Sequence, residues 1–456
     1  MGSHKLALVG GGGVRGPLFV EAAARRADVL GLQEIVLLDV DPDKLRLLGP
    51  VAAHLARDHS NLRVVTATDP RQALEGADFV VTTVRVGGDA GRVADERIAL
   101  RHGVLGQETT GAGGFAMAMR TVPAVLGYAE LAAQVSPQAW LFNFTNPAGL
   151  VTQALHDAGH RRTVGICDSA NLAQHAVAAH HGVRPDDLRP EVFGLNHLSW
   201  TRAVRDRQGR DLLAPLLTDP GFRAATLQRF FPVELVELVG MWINEYLYYY
   251  YFAEQALESV GAQRTTRGEE VAERNRDLLR RLAEVDPARR PAEAVAAYRA
   301  YEAGRRSTYM HYAEPESPAP AEERTLGEGS EGYAGVALDL AEALVGGGPA
   351  RYTAANVPSA GCLADLEPTD VAEISVVADA DGVRPLPIGT VPAPQAGLMR
   401  AVKLFERLAV QAVMSRSRRR AVQALMAHPL VVSYSRAAAL VDDYLVAHRE
   451  HVGEWT

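Results

Sequence analysis

A chain of 456 residues is long for one hydrophobic core and argues for two closely associated domains. Its 47% hydrophobic and 22% charged composition is that of a globular enzyme, and a net charge of -8 spread along the chain leaves no basic footprint for nucleic acid. No apolar run approaches the roughly 20 residues of a spanning helix; two cysteines, Cys167 and Cys362, make no disulfide framework, and "MGSHKLALVGGGG" enters a strand rather than a signal peptide, so a cytoplasmic location is expected.

The first third alternates short β-branched runs with helical segments. Buried strands are expected at "KLALVG" (5–10), "EIVLLDV" (34–40), "RVVTATD" (63–69), "DFVVTTV" (78–84), "AWLFNFT" (139–145) and "TVGICD" (163–168), each short, apolar and bounded by Gly, Asp or Pro. Helical patterns such as "LFVEAAARRADVL" and "AMAMRTVPAVLGYAELAAQ" lie between them. The alternation predicts an α/β fold, a Rossmann-type doubly wound parallel sheet over residues 1–190, with ligands at the carboxyl ends of its strands. From about residue 190 the pattern changes, and 191–456 are expected to form a second, α+β domain for substrate and catalysis. There "EVFGLNHLSWTRAVRDRQGRDLL" reads as long strands joined by a Gly turn and "MWINEYLYYYYFAEQAL" as aromatic-rich helices, with the tyrosines pointing all round a helix. The Pro/Glu-rich stretch 312–333 reads as a mobile loop, and the C-terminal part as helical with one strand near "VAEISVVADADGV".

"LALVGGGGVRGP" sets Gly10, Gly11, Gly12 and Gly13 between a strand and a helix. Glycines let the backbone approach a pyrophosphate, and the helix start supplies amide donors. Asp39 ends the second strand, where a carboxylate can accept from an adenosine ribose hydroxyl; its charge favours NAD over NADP. A tight turn alone would use the same glycines, but strand, glycines, helix, strand and Asp in succession favour the nucleotide. The adjoining "DVDPDK" (39–44) is no calcium loop, since Lys44 stands where glycine is needed and Pro50 where glutamate is.

Four further stretches carry polar residues that packing does not require: "VGGDAGRVADERIALRHGVLGQETTGAGG" (86–114), "NFTNPAGL" (143–150), "FGLNHLSW" (193–200) and "NEYLYYYY" (244–251). Each has a plainer explanation. A histidine in a strand-like run, as at His197, is commonly a satisfied core residue, and consecutive tyrosines are commonly packing. Cys167 can be a small buried hydrophobe. Asp168 can be only the N-cap of "SANLAQHAVAAHH", whose His175, His180 and His181 read as a solvated face. Co-location weighs against these: Gly10, Arg85, Asn146 and Cys167 all fall at expected carboxyl ends of one sheet.

Taken together, "GQETTGAGGFAMAMRTVP" (106–123), "LFNFTNPAGLVTQA" (141–154), "GICD" (165–168), "FGLNHLSW" and "NEYLYYYY" resemble glycoside hydrolase family 4, the NAD- and divalent-metal-dependent glycosidases. The resemblance runs over essentially the whole chain and is greatest to the 6-phospho-β-glucosidase branch. It implies a metal, typically Mn2+, held by Cys167 and His197, and NAD+ on the glycine turn taking a hydride from C3 of the sugar. It implies Tyr246 as the base that removes the acidified C2 proton and Asp168 as the donor to the leaving oxygen. Arg92, Asn146 and Arg267 match substrate contacts. Water then adds back and the ketone is reduced, a route unlike that of two-carboxylate glycosidases. A tyrosine titrating near pH 10 needs a cation close by to act as a base near neutrality. Manganese with a thiolate is a chemical mismatch, because hard ions prefer oxygen, so a weak, oxidation-sensitive site is expected.

The expected substrate is a 6-anionic hexoside, foremost a 6-phospho-β-glucoside, because Arg15, Arg85, Arg92 and Arg267 suit phosphate or sulfonate. Ala170 stands where the family often has proline, and the glycine turn lacks the usual Ser/Thr; 6-sulfonated, non-phosphorylated and α-linked sugars stay open. An NAD-dependent 2-hydroxy-acid or polyol dehydrogenase shares the first domain's fold, and a non-catalytic nucleotide sensor is the remaining alternative. Expected partners are the small-molecule sugar and further copies of the chain, as homodimer or homotetramer, with no nucleic acid and no membrane.

Overall fold

The computed structural model describes residues 3–306, 332–346 and 348–456. All six expected strands of the first third form: β1 His4–Val9, β2 Leu32–Leu38, β3 Arg63–Ala67, β4 Phe79–Thr82, β5 Trp140–Asn143 and β6 Thr163–Gly165. They pair in parallel in the order β3-β2-β1-β4-β5-β6. Strands β4 and β6 are buried along their whole length, which is why their sequences are unbroken apolar runs rather than alternating ones. The strands stop before the apolar runs do. Gly10, Asp39, Val84, Phe144 and Ile166 leave the ladder and turn into loops at the carboxyl edge.

The second half holds a separate antiparallel sheet, β7 Arg189–Leu195, β8 Leu198–Arg205 and β9 Trp242–Ile243. Here two expectations are corrected. His197 does not lie within a strand: the chain reverses at Asn196-His197, between β7 and β8, and the turn at Gly209 leads only to a single bridge, Arg205 with Asp211. "MWINEYLYYYYFAEQAL" is no continuous helix either. It runs as β9, a single 3-10 turn at Glu245–Leu247, and short helices Tyr248–Tyr251 and Ala253–Ala262. The break has a local cause, since the Asn244 side chain accepts from the Tyr246 amide (3.0 Å) and caps the turn.

Three more strands, β10 Arg351–Pro358, β11 Val371–Asp379 and β12 Gly382–Pro385, add antiparallel to the free edge of β6 through the pair Asn356 and Gly165. The result is one nine-stranded sheet to which chain on both sides of residue 190 contributes. Only β11 was foreseen. Strand β11 lies against β7, where the Val192 amide donates to Ser375 Oγ (2.7 Å) and that hydroxyl donates to Pro190 O (2.8 Å). One contiguous apolar core passes through both sheets. The Pro/Glu-rich stretch lies outside the described residues up to 331; the helix Gly332–Val345 takes up its end. No helix among the described residues is long and apolar enough to cross a membrane.

Candidate active site

The loops at the carboxyl edge converge on one cavity of about 1110 Å³. Gly10, Gly12 and Gly13 reach it after β1, Asp39 after β2, Arg85 after β4, Asn146 after β5, and Cys167 with Asp168 after β6. The β7–β8 turn brings His197 and the turn after β9 brings Tyr246. Helix Gly88–Arg101 contributes Arg92, and Arg267 opens helix Arg267–Val285. Of the glycine turn, Gly11 alone faces inward: a Cβ there would stand 2.8 Å from Leu8 O and 2.9 Å from Leu37 Cα.

At the glycine end, Gly10 has φ +87° and a Cβ would come within 2.7 Å of Thr83 O. Gly12 donates its amide to Asp39 Oδ2 (3.1 Å), and the Asp41 amide donates to Asp39 Oδ1 (3.1 Å). Burial pushes the Asp39 carboxyl above its ordinary range. A bare backbone turn beside a fixed carboxylate at a second strand end is the cradle a dinucleotide needs.

At the other end, Cys167 is buried, with Sγ 4.0 Å from Asp168 Oδ1. Burial pushes this thiol up, and Glu373, Asp168 and Glu245 add to the effect, so the surroundings favour a positive charge beside the sulfur. His197 is buried and its Nδ1 lies 3.0 Å from Thr109 Oγ1. Burial lowers its pKa to about 4, so the ring is neutral near pH 7, the form that ligates cations. Its φ of +61° belongs to the region that favours glycine. A histidine held there against backbone preference is the kind of outlier found at functional sites. The Tyr246 ring stacks on the imidazole, with centroids 3.8 Å apart and planes 4° from parallel. A thiol and an imidazole are a two-donor set. Among the described residues no cluster of three or more His, Cys, Asp or Glu is arranged for a metal.

Two sequence patterns decide the family. The family 4 glycosyl hydrolase pattern matches residues 5–183, and the pattern of that family's C-terminal domain matches 192–431. The chain belongs to glycosyl hydrolase family 4. It is a glycoside hydrolase. Similar relatives include the 6-phospho-beta-glucosidase of Escherichia coli, 28% identical over 98% of this chain and 95% of that one. Phospho-alpha-glucosidase PagL of Clostridium acetobutylicum is 27% identical over the full length of both. The 6-phospho-beta glucosidase of Thermotoga maritima, solved with manganese, NAD+ and glucose-6-phosphate, superimposes with a TM-score of 0.82 at 25% identity, covering 99% of this chain and 100% of that one.

In this family 4 enzyme the plainer explanations separate residue by residue. Asp168 makes no side-chain capping bond, so the N-cap reading of it is overturned, and its carboxylate faces the cavity. His180 and His181 are exposed, whereas His175 is half-buried on the cavity wall. Arg92 is buried between two carboxylates, Nε to Glu96 Oε1 (2.8 Å) and a terminal nitrogen to Glu108 Oε2 (3.1 Å). Arg85 also pairs with Glu108 (2.6 Å). Burial would raise the Glu108 pKa, but Arg85 and Arg92 hold it down at about 2. Arg267 pairs with Glu270 (3.0 Å), and Asn146, on a cis peptide to Pro147, accepts from the Ala148 amide (3.3 Å). Ala170 packs with Val192 and Ala354. Sequence reasoning missed Glu108, Glu245 and Glu373. The first two sit inside motifs already singled out; the third is a lone carboxylate in an apolar strand.

Proposed function

We propose that this family 4 enzyme hydrolyses a 6-phosphoglucoside, the β-anomer first, with NAD+ and Mn2+ as cofactors. One observation carries the reading: Cys167, His197, Tyr246 and Asp168 line one cavity together with Gly10, Gly12, Gly13 and Asp39. The glycine turn would hold the dinucleotide, and Cys167 and His197 the cation. Bound there, NAD+ would supply an acceptor for the hydride from the sugar's C3 and its return once water has added at C1, and the cation would supply a Lewis acid for the oxidised sugar. Tyr246, its ring fixed on the His197 imidazole, takes the C2 proton. Asp168 delivers a proton to the glycosidic oxygen as the C1–O bond breaks. Asn146, Arg92 and Arg267 hold the substrate. A cavity of about 1110 Å³ exceeds the 300–1,000 Å³ typical of a single small ligand, in keeping with a dinucleotide and a sugar side by side.

Relatives named as α- and as β-specific phosphoglucosidases resemble the chain about equally, which keeps the α-linked substrate as the second reading. Elimination at C1 accommodates either configuration. Phosphorylated sugars and a buried free thiol suit the cytoplasm, and the assembly is inferred to be a homodimer or homotetramer. The test is a panel of p-nitrophenyl α- and β-glucosides, each with 6-phosphate, 6-sulfonate or a free 6-hydroxyl, assayed with NAD+ and Mn2+. Release of nitrophenol from the 6-phospho-β-glucoside without net NADH is expected. Release from none would sink the proposal, and NADH accumulating one for one with product would favour a dehydrogenase.

A further inference from the structure

Glu373 lies in β11, fully buried, in a strand whose other residues before the terminal Asp379 are apolar or small. Packing asks for no charge there, and a buried carboxylate is costly unless its oxygens are met by donors. Three donors meet it. Asn196 Nδ2 and Asn356 Nδ2 each donate to Oε1 (3.1 Å), and Ser199 Oγ donates to Oε2 (2.8 Å).

Each donor leads to a different segment of the active site. Asn196 is the first residue of the turn whose second residue is His197. Asn356 is the cross-strand partner of Glu373 on one side and of Gly165 on the other, two residues ahead of Cys167. The contact with β6 is close, since a Cβ on Gly165 would stand 2.8 Å from Asn356 Cβ. Ser199 Oγ in turn accepts from Asn244 Nδ2 (3.1 Å), and Asn244 Oδ1 accepts from the Tyr246 amide (3.0 Å). Strands β8 and β10 and the β7–β8 turn thus meet at one carboxylate of β11.

We propose that Glu373 is a positioning residue that fixes the Cys167, His197 and Tyr246 segments relative to one another through Asn356, Asn196 and the Ser199–Asn244 pair. The proposal rests on the function proposed above, because it takes those three residues as cation ligands and base. Acceptor number matters here as well as shape: a carboxyl group offers acceptor sites on both oxygens and can accept all three bonds. Gln at this position keeps the volume but offers one acceptor oxygen, so at least one donor loses its partner.

Four variants, Glu373→Gln, Glu373→Ala, Asn196→Ala and Ser199→Ala, separate positioning from plain stability. Mn2+ affinity is measured by electron paramagnetic resonance of free Mn2+, NAD+ affinity by calorimetry, and turnover with substrate protonated or deuterated at C2. E373Q is expected to bind Mn2+ about tenfold or more weakly, the usual cost of losing an outer-shell partner, with NAD+ affinity within about twofold of wild type and a larger C2 isotope effect. N196A is expected to weaken Mn2+ binding while leaving the isotope effect near wild type. S199A is expected to do the reverse. If Glu373 variants lower Tm but bind Mn2+ normally and keep the wild-type isotope effect, the role is structural and the proposal falls. Should neither Glu373 variant fold, unchanged Mn2+ affinity in N196A together with an unchanged isotope effect in S199A overturns it. Wild-type protein that binds no Mn2+ overturns the functional reading itself, a separate outcome.

Discussion

His197 pairs an unfavourable backbone with a place on the cavity wall. At φ +61° a β-carbon crowds the backbone, at a cost on the order of 1–2 kcal/mol that glycine escapes and asparagine partly escapes. If the imidazole is there for ligation, stability and binding must part company on substitution. His197→Gly, His197→Asn and His197→Ala should all lose Mn2+ binding, while melting temperatures follow Gly and Asn above Ala. An alanine variant as stable as the glycine one would show that the turn carries no strain. The sequence made His197 a candidate through "FGLNHLSW" but could not show the turn, because Asn-His between apolar residues carries none of the glycine that usually marks a two-residue reversal. Glu373 was illegible for the opposite reason. A lone carboxylate in an apolar run declares itself only once its three donors, from distant strands, are in place.

Among elements, the glycine turn after β1 makes two adjacent glycines separable. A Cβ at Gly12 would press on the Asp39 side chain, its Cβ and carboxylate alike, at 2.9 Å, and that side chain must shift. One at Gly11 would meet Leu8 O and Leu37 Cα, which are backbone and cannot. Gly12→Ala should therefore weaken NAD+ binding by about tenfold or more, by displacing Asp39, and lower Tm less than Gly11→Ala does, since its Cβ meets a side chain and not backbone. Gly11→Ala should lower Tm first. Calorimetric titration and thermal melts on the two variants check this, and identical behaviour would deny the division. The first six strands were legible because strands inside a parallel sheet are short apolar runs. Strand β10, "RYTAANVP", was not, since its Thr and Asn are satisfied by tertiary partners: Thr353 Oγ1 donates to Asn171 Oδ1 (2.8 Å) and Asn356 Nδ2 to Glu373. The tyrosine run misled because local helix propensity yielded to the Asn244 cap.

At the scale of the whole molecule, the sheet that carries the glycine turn is completed by strands from the far end of the chain, so cavity and stability are one structure. Composition could indicate two domains but not this sharing, which depends on a pairing between residues 165 and 356 that no local pattern encodes. Its stability should depend on pH through three buried groups, two of one sign and one of the other. His428 is buried edge-on to Phe405, with ring centroids 4.7 Å apart, and burial lowers its pKa to about 3. Unfolded, it would take a proton near pH 6.5. Its contribution is fully present above that value and is lost as pH falls from 6.5 towards 3, because the unfolded state binds the proton first. Glu108, held at about 2 despite its burial, contributes above its ordinary pKa of 4.5 and loses that contribution below it. Glu373 acts in the other direction, since burial pushes its carboxyl up to about 7 and its contribution declines as pH rises from 4.5 to 7. Between pH 6.5 and 4.5 His428 and Glu373 therefore oppose each other, and His428→Asn separates them. Asparagine can still accept the Leu430 amide that Nδ1 accepts at 3.2 Å, yet it takes up no proton. The variant should melt a few degrees lower at pH 7.5 through lost packing. From pH 6.5 down to 4.5 its Tm should fall less steeply than wild type, or rise, as the Glu373 contribution is left unopposed. Parallel curves for the two proteins across that window would show that His428 is not the titrating group.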